Sequence, residues 1–465
     1  MDGFSIVQSG APIRLSSRSM GLKLLVVCAL AVFMTIPALF VMGLVGERTH
    51  RASAVVLEIS GNSGGQQNFL GPTLAIPYKI APNLSANVPK RNTYLIFPST
   101  ASAVLETTTE ERHRSLFKVP VFHANVRLDA EFDLTNPPTP QGAELEWSRA
   151  EIVVGVSDAR GALADATLVA DGKSTVLVPS EIASEITLGP EQMGGTKLTL
   201  FGTKLDAIAK PNDRFKVSSS LRFSGAQRVA VLAYGKTTRL TAQGDWPSPG
   251  FDGGFLPTRR TVTQKGFTAE WSVPFIARGV GAAGSVDSLA GLQATALGTS
   301  FIEVADPYQS VERSLKYVLL FLGLIFLSYF VFEVGTGKRV HPAQYVLVGI
   351  AQIIFYLLLL SLAERIGFDW AFLLAGAATV ALLSANAGWV FASRLQGLRA
   401  LATFAVLYAL IYILLRMEDN ALLVGAIASF LAVSATMYLT RKIDWYGSLA
   451  AANAPPSVHD PHQSV

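Results

Sequence analysis

The feature that most constrains this chain is a succession of five apolar runs in its last third. A helix needs about 20 apolar residues to cross about 30 Å of hydrocarbon, and most of these runs approach that length. Only short polar connections separate them, so we expect the helices to lie side by side in one membrane bundle, residues 313–446. The runs cover residues 317–332, 345–362, 370–392, 401–415 and 421–439.

A sixth apolar run, residues 24–45, follows a polar N-terminal segment, residues 1–20, that contains Arg14 and Arg18. A cleaved signal peptide has an apolar core of about 7–15 residues, followed by a site with small residues. This core is longer, and the sequence from Leu44 to Glu47 offers no such site. We therefore predict an uncleaved signal anchor over residues 21–45 in preference to a cleaved signal peptide.

Residues 46–312 separate the anchor from the bundle and have the pattern of a large inserted, mainly-β domain. Apolar residues from Ala52 to Ile59 recur at helical spacing, which predicts an amphipathic helix over residues 47–59. Farther on, the period changes to two, and Pro and Gly punctuate short apolar runs. This pattern is typical of a sandwich or a related antiparallel fold, in one lobe or in two lobes divided near residues 137–140. The predicted strands are 93–97, 116–128, 152–156, 174–178, 198–201, 215–223, 228–233, 260–262, 269–273 and 300–304, and residues 279–291 are expected to form a flexible loop.

The placement of basic residues predicts the orientation of the bundle. The chain has a formal net charge of +4 but only 15% charged residues, so its basic excess is typical of loops beside a membrane rather than of a nucleic-acid-binding face. Basic residues follow alternate spans, on the side where the N-terminal arginines also fall. By the positive-inside rule both termini are cytoplasmic, including a disordered tail at 447–465, and residues 46–312 are extracytoplasmic. The basic loop residues are Lys338, Arg339, Arg394, Arg399, Arg441 and Lys442.

Two glycine-rich motifs invite an enzymatic interpretation, but neither has the required context. Residues 61–65 match G-x-S-x-G, a nucleophile elbow that needs a strand before it and a helix after it, whereas a predicted helix precedes Ser63. Residues 279–284 match G-x-G-x-x-G, which binds dinucleotides within a βαβ unit, and this region is rich in strands instead. Neither H-E-x-x-H nor C-x-x-C occurs, and Cys28 is the only cysteine. We therefore expect no catalytic residue, cofactor or metal site.

Polar residues within or beside the apolar runs are the better candidates for function. A polar or ionisable group in hydrocarbon is costly, so it usually faces the interior of a bundle or a cavity. Gln352 and Asn386 lie in mid-span, where neither reaches water easily. The alternative is structural: interhelical hydrogen bonds for these two residues, and contact with the interface for Glu333, Glu364 and Asp419. The full set of candidates is Glu333, His341, Gln344, Gln352, Glu364, Asn386, Glu418 and Asp419.

Several short motifs carry a family resemblance. They are VADPY (304–308), RSLKY (313–317), HPAQY (341–345), FYLLLLS (355–361), EDNALL (418–423), TRKIDWY (440–446), VSDARG (156–161) and WPSP (246–249). Together they resemble the CreD family of bacterial inner-membrane proteins, and the likeness extends over about residues 47–446. The resemblance implies a protein linked to cell-envelope integrity, tolerance to colicin-type toxins and β-lactam response, with residues 46–312 in the periplasm. It implies no biochemical activity, because the family has none that is accepted.

Three functions are compatible with this organisation. The first is a non-enzymatic inner-membrane protein that supports envelope integrity or the envelope stress response through its periplasmic domain, in contact with the bilayer and an envelope or membrane protein. The second is a transporter or channel, although five contiguous spans and one distant anchor suit the repeats of such proteins poorly. The third is a membrane-bound enzyme acting on lipid or peptidoglycan, with Glu364, Glu418 or Asp419 as acid or base. No nucleic-acid partner is expected, and the sequence specifies no oligomeric state.

Reporter fusions test the predicted six spans and cytoplasmic termini. Because basic loops alternate with mixed ones, alkaline phosphatase should be active only at the extracytoplasmic positions. The fusions follow residues 46, 340, 369, 399, 420 and 446, and activity is expected at 46, 369 and 420 alone. Activity after residue 340 or 399 would overturn the orientation.

Overall fold

The structure is a computed structural model that describes residues 20–80, 92–114, 117–140, 142–188, 195–207, 213–301, 307–416 and 421–441. The chain is organised as two compact units. Residues 51–304 form the β unit, and the residues before and after this range form the helical unit.

Most helices of the helical unit are long and apolar, as the sequence predicts, and the short polar helix Pro307–Lys316 is an exception. Within the described residues, five helical segments are long and apolar enough to cross a membrane: Gly21–Asn62, Val318–Thr336, Pro342–Ile366, Phe368–Val390 and Arg394–Arg416. They correspond to the predicted anchor and to the first four C-terminal spans. The last predicted span falls on a helix whose apolar stretch, Gly425–Tyr438, is shorter, so the count of six spans stays a prediction. The helices of the chain are α1 (Met20–Phe33), α2 (Thr35–Asn62), α3 (Phe275–Arg278), α4 (Pro307–Lys316), α5 (Val318–Thr336), α6 (Pro342–Ile366), α7 (Phe368–Val390), α8 (Arg394–Arg416) and α9 (Ala421–Thr440).

The first two helices are almost continuous. Met34 separates α1 from α2, but its N–H still donates to the carbonyl of Leu30 at 2.9 Å. Pro37, in the next turn, has no N–H to offer the carbonyl of Phe33, which is a common cause of a local break. The predicted amphipathic helix 47–59 is therefore the second half of α2, which continues to Asn62.

Small residues let α7 and α8 approach each other closely. A Cβ atom on Gly397 would lie 3.3 Å from the Cα of Gly388, and one on Gly376 would lie 3.2 Å from the ring of Tyr408. Apolar burial drives no association between helices inside hydrocarbon, so close packing of this kind has to hold them together.

The β unit is built from nineteen strands in the described residues. They are β1 (Gln67–Ile80), β2 (Asn92–Ile96), β3 (Thr100–Arg114), β4 (Phe117–Asp133), β5 (Ala143–Leu145), β6 (Glu151–Val156), β7 (Thr167–Ala170), β8 (Lys173–Val176), β9 (Val178–Pro179), β10 (Glu185–Leu188), β11 (Thr196–Lys204), β12 (Arg214–Ala226), β13 (Arg228–Leu232), β14 (Thr237–Gly244), β15 (Pro249–Gly253), β16 (Arg259–Thr263), β17 (Gly266–Val273), β18 (Ala283–Ser285) and β19 (Ala296–Phe301). The predicted strands all overlap these elements. Eight strands have no counterpart among the predictions: β1, β3, β5, β7, β10, β14, β15 and β18.

The strands form two mixed sheets. The first has eleven strands along the path β10-β11-β6-β1-β13-β19-β15, and the second has eight in the order β16-β17-β14-β3-β4-β12-β7-β8. The expected antiparallel pairing dominates, but β1 pairs with β13 and β3 with β14 in parallel. Strands on both sides of residues 137–140 share the same sheets, since β4 pairs with β12 and β1 with β6.

One hydrophobic core, which draws on both sheets, holds the β unit together. Along β12, the predicted alternation places Phe215, Val217 and Leu221 inward. Hydrogen-bond contacts also link the two sheets. The hydroxyl of Tyr234, which follows β13, lies 2.8 Å from the carbonyls of Ser102 in β3 and Asp129 in β4. Burial raises the pKa of Tyr234 well above its ordinary value, so this hydroxyl keeps its proton.

The predicted flexible loop at 279–291 is instead mostly regular structure. Gly279 ends α3 with φ 68°, a left-handed conformation that glycine adopts without strain. Strand β18 follows and pairs with β2, and a 3-10 helix then covers Val286–Thr295. The glycines of this stretch form the helix cap and allow close packing. Their abundance is the reason why the sequence predicts a flexible loop here.

Two tryptophans allow a matched test of this core in a fragment of residues 51–304. Trp271 is 1% exposed, packs against Phe251 and donates from Nε1 to the carbonyl of Phe255 at 3.0 Å. Trp246 is only half-buried, at the edge of the core. Trp271→Ala should therefore lower the free energy of unfolding by about 3–5 kcal/mol, and Trp246→Ala by clearly less. Urea unfolding followed by far-UV circular dichroism measures both; equal losses, or a wild-type spectrum dominated by helix, would contradict this account of the core.

Candidate functional site

A buried carboxylate near the end of α5 joins three elements of the helical unit. Glu333 is 2% exposed, and its Oε1 contacts the ammonium of Lys23 in α1. The N–H of Val340 donates to the same oxygen at 3.0 Å, while the hydroxyl of Tyr345 in α6 donates to Oε2 at 3.1 Å. Lys23 also donates to the carbonyl of Val340 at 2.8 Å.

This arrangement explains how a charged group persists inside the bundle. An unpaired charge in a low-dielectric interior costs several kcal/mol, and a pair is tolerated when further hydrogen bonds satisfy its remaining atoms. Glu333 has one cation and two neutral donors, so its charge is compensated locally. The sequence singled out Glu333 but not Lys23 as its partner, although the signal was present, because Lys23 is a basic residue within the predicted anchor, residues 21–45.

Two predicted residues, Gln344 and Asn386, meet between α6 and α7. The amide of Asn386 donates from Nδ2 to Gln344 Oε1 at 3.3 Å. The hydroxyl of Tyr329 in α5 lies 3.2 Å from Asn386 Oδ1 and 2.8 Å from the carbonyl of Leu383. Hydrogen bonds therefore connect α5, α6 and α7 at this level.

The remaining mid-span candidate pairs with a residue on α8. Gln352 is fully buried, and its Nε2 and Oε1 lie 3.0 and 3.1 Å from the hydroxyl of Tyr408. The Tyr408 ring is held in place by aromatic contacts with Phe321 and Phe355. The amide and the hydroxyl satisfy each other in an apolar setting, so this pair links α6 to α8.

The other candidates lie nearer the helix ends. His341 caps the N-terminus of α6, because its Nδ1 accepts from the N–H of Ala343 at 3.2 Å. Glu364 accepts from the hydroxyl of Tyr308 at 3.1 Å and lies 4.0 Å from Arg48. Glu418 and Asp419 fall outside the described residues.

The G-x-S-x-G motif has the context of a structural turn. It follows helix α2 and precedes strand β1, the reverse of the order that a nucleophile elbow needs. The hydroxyl of Ser63 accepts from Arg112 Nη1 at 3.4 Å, and Ser224 donates to the carbonyl of Ser63 at 3.0 Å. Beside them the buried amide of Gln67 donates to the carbonyls of Gly64 and Asp158 at 2.6 and 2.9 Å.

The G-x-G-x-x-G motif directly follows a buried arginine. Arg278 is 3% exposed, and it donates to the carbonyls of Ala233 and Gly281 at 2.8 and 3.2 Å. Its guanidinium also lies 4.0 Å from the centre of the Phe97 ring. Burial lowers the pKa of Arg278 to about 10, which leaves it charged at neutral pH. The motif lies between α3 and β18, outside any βαβ unit, so the context of a dinucleotide site is not met.

Within the described part of the chain, no cluster of three or more His, Cys, Asp or Glu residues is placed to hold a metal ion.

Comparisons with known proteins agree with this architecture. A family model described as "Inner membrane protein CreD" matches residues 19–446. An Escherichia coli (strain K12) protein with the same description is 30% identical over 427 residues, which is 88% of this chain and 90% of that protein.

A double-mutant cycle tests the coupling between Gln352 and Tyr408. Gln352→Leu deprives the buried Tyr408 hydroxyl of its amide partner, and Tyr408→Phe deprives the buried Gln352 amide of its hydroxyl partner, so each should cost about 1–2 kcal/mol of stability. The double variant should cost little more than either single one, because it removes both members together. Unfolding in detergent mixtures measures the three values; strictly additive losses would show that the pair is not coupled.

Proposed function

The chain belongs to the CreD family of inner membrane proteins, and from that premise we propose that it supports cell-envelope integrity and the envelope stress response without catalysis. The proposal assigns the contacts that matter to the β unit and a stiff supporting role to the helical bundle. It also takes both termini as cytoplasmic and residues 46–312 as periplasmic, in line with the alternation of basic loops.

The observation that carries this proposal is that the embedded polar side chains bind one another. Glu333 forms an ion pair with Lys23. Asn386 forms hydrogen bonds with Tyr329 and Gln344, and Gln352 forms them with Tyr408. Polar groups that line a substrate path must exchange partners with that substrate. Groups engaged in interhelical hydrogen bonds stabilise the bundle instead.

The β unit, in contrast, offers an open polar face on its eight-stranded sheet. A depression of about 560 Å³ lies over β3, β4, β12 and β14. A second one, of about 440 Å³, lies farther along β14 and β17. Charged side chains of both signs border the first depression, among them Asp129, Glu131, Lys216 and Arg239. Charges of both signs can give specificity for a partner with the complementary charge pattern.

Charge reversal on this face tests whether it makes the functional contacts. Lys216→Glu with Arg239→Glu removes two exposed cations beside the first depression, and it should abolish envelope function. The matched control, Arg149→Glu with Lys197→Glu, makes the same charge change at two exposed ion pairs away from the depression, and it should retain function. Arg149 lies in the 3-10 turn before β6, and Lys197 lies in β11 of the eleven-stranded sheet. An envelope-stress assay in cells that lack the native protein, normalised to membrane abundance, compares the two.

The transporter alternative predicts the opposite order of effects. Gln352→Leu and Asn386→Leu should then abolish function at normal abundance, and the charge reversal should leave it intact. Under our proposal these leucine variants lose stability but keep function per folded molecule. A well-folded Asn386→Leu protein without activity would refute the proposal.

A further inference from the structure

A cavity of about 310 Å³ lies at the end of the helical unit that carries the loop between α5 and α6. Its walls come from α1 and from the residues that lead into α6. Cationic or donor side chains form one part of the lining and aliphatic groups form the other. The six residues that matter here are Lys23, Arg339 and His341 on the polar part, and Leu22, Val26 and Pro342 on the apolar part.

Lys23 lines this cavity and has one donor left for a ligand. An ammonium group has three N–H donors. Two are used by Glu333 and by the carbonyl of Val340, and the side chain is still 20% exposed where it lines the cavity. The same contacts fix the position of the ammonium, so the third donor needs no further ordering to meet a ligand.

Arg339 and His341 add further donors to the polar part of the lining. Arg339 is exposed, and its guanidinium has no hydrogen-bond or ion-pair partner among the described residues. Because Nδ1 of His341 accepts from the N–H of Ala343, the ring proton is on Nε2, which remains a donor. A guanidinium fork, an ammonium and an imidazole N–H are together suited to the oxygens of a phosphate.

The local charge is positive after all visible pairs are counted. Glu333 balances Lys23, and its buried carboxylate is turned inward by the contacts with Tyr345 and Val340. Arg339 remains without a balancing carboxylate in the described residues. The cavity therefore favours a monoanion over a neutral or cationic ligand.

The apolar part of the lining continues along a membrane helix. Leu22 and Val26 are four residues apart and so lie on one face of α1. Leu22 is 36% exposed, and Leu25 on the same turn is 64% exposed. These residues begin the apolar segment Gly21–Asn62, and the end of a membrane-crossing segment is where headgroups meet hydrocarbon.

We propose that this cavity binds an anionic glycerophospholipid, with the phosphate held by Lys23, Arg339 and His341 and an acyl chain lying along Leu22 and Val26. Basic pockets between membrane helices commonly hold anionic headgroups, and the combined polar and aliphatic lining favours a lipid over free phosphate. Glu333 is a positioning residue here, because it orients Lys23 and does not touch the ligand. The inference is independent of the function proposed for the β unit.

Lipid titration of the full-length protein, monitored by native mass spectrometry, tests the site. Phosphatidylglycerol should bind more tightly than phosphatidylcholine with the same acyl chains. Arg339→Gln should weaken phosphatidylglycerol binding about fivefold, the usual effect of one basic residue near a lipid surface, and leave phosphatidylcholine binding unchanged. Arg339 is exposed, so the variant should unfold at the wild-type temperature, and Arg339→Lys should restore most of the affinity.

Arg399→Gln is the matched control. Arg399 is an exposed basic residue of α8 that does not line the cavity, so its loss changes the net charge equally and should leave binding as in the wild type. Equal weakening by both variants would mean that general surface charge, rather than this cavity, attracts the lipid. Lack of preference for phosphatidylglycerol would overturn the proposal. Displacement of the bound lipid by inorganic phosphate at millimolar concentration would identify a free-anion site and overturn it as well.

Discussion

Hydrocarbon offers no hydrogen-bond partners, and this constraint governs how the helical unit is assembled. Lys23 and Glu333 are 310 positions apart in the chain, yet each makes the burial of the other tolerable. Their contact holds α1 beside the α5–α6 pair, and the hydroxyl of Tyr345 and the N–H of Val340 complete the coordination of the carboxylate. The N-terminal helix is therefore part of the bundle's polar framework as well as an anchor.

The β unit meets a different constraint, because the chain has one cysteine and no disulfide can form within it. Stability has to come from the single core between the two sheets, with large side chains such as Trp271 fully enclosed. Close packing then dictates residue size at particular points. A Cβ atom on Gly71 would lie 2.4 Å from the ring of Tyr234, whose hydroxyl links the two sheets, so only glycine lets β1 pass this ring.

The two units therefore differ in which polar side chains they present for binding. The described mid-span polar groups of the bundle are engaged with one another, which suits rigidity more than exchange with a passing solute. The eight-stranded sheet presents charged side chains of both signs along the borders of two depressions, where a partner can reach them. At the bundle end beside α1, the ion pair also leaves Lys23 one unused donor, so a structural contact creates the conditions for ligand binding.

The sequence by itself indicated the family, the N-terminal apolar helix, the first four apolar helices of the bundle and most strands, because apolar length and period-two alternation are local properties that survive without neighbours. It also identified Glu333, Gln352 and Asn386 as costly to bury. Tertiary structure alone decided that Lys23, Tyr408 and Tyr329 satisfy them, since a partner on another helix leaves no trace in local spacing. The same holds for the parallel pairing of β3 with β14, and for the burial of Arg278 directly before the glycine-rich stretch that composition assigned to a flexible loop. Hydrogen-bond partners and sheet order depend on distant residues, and only the folded chain brings those residues together.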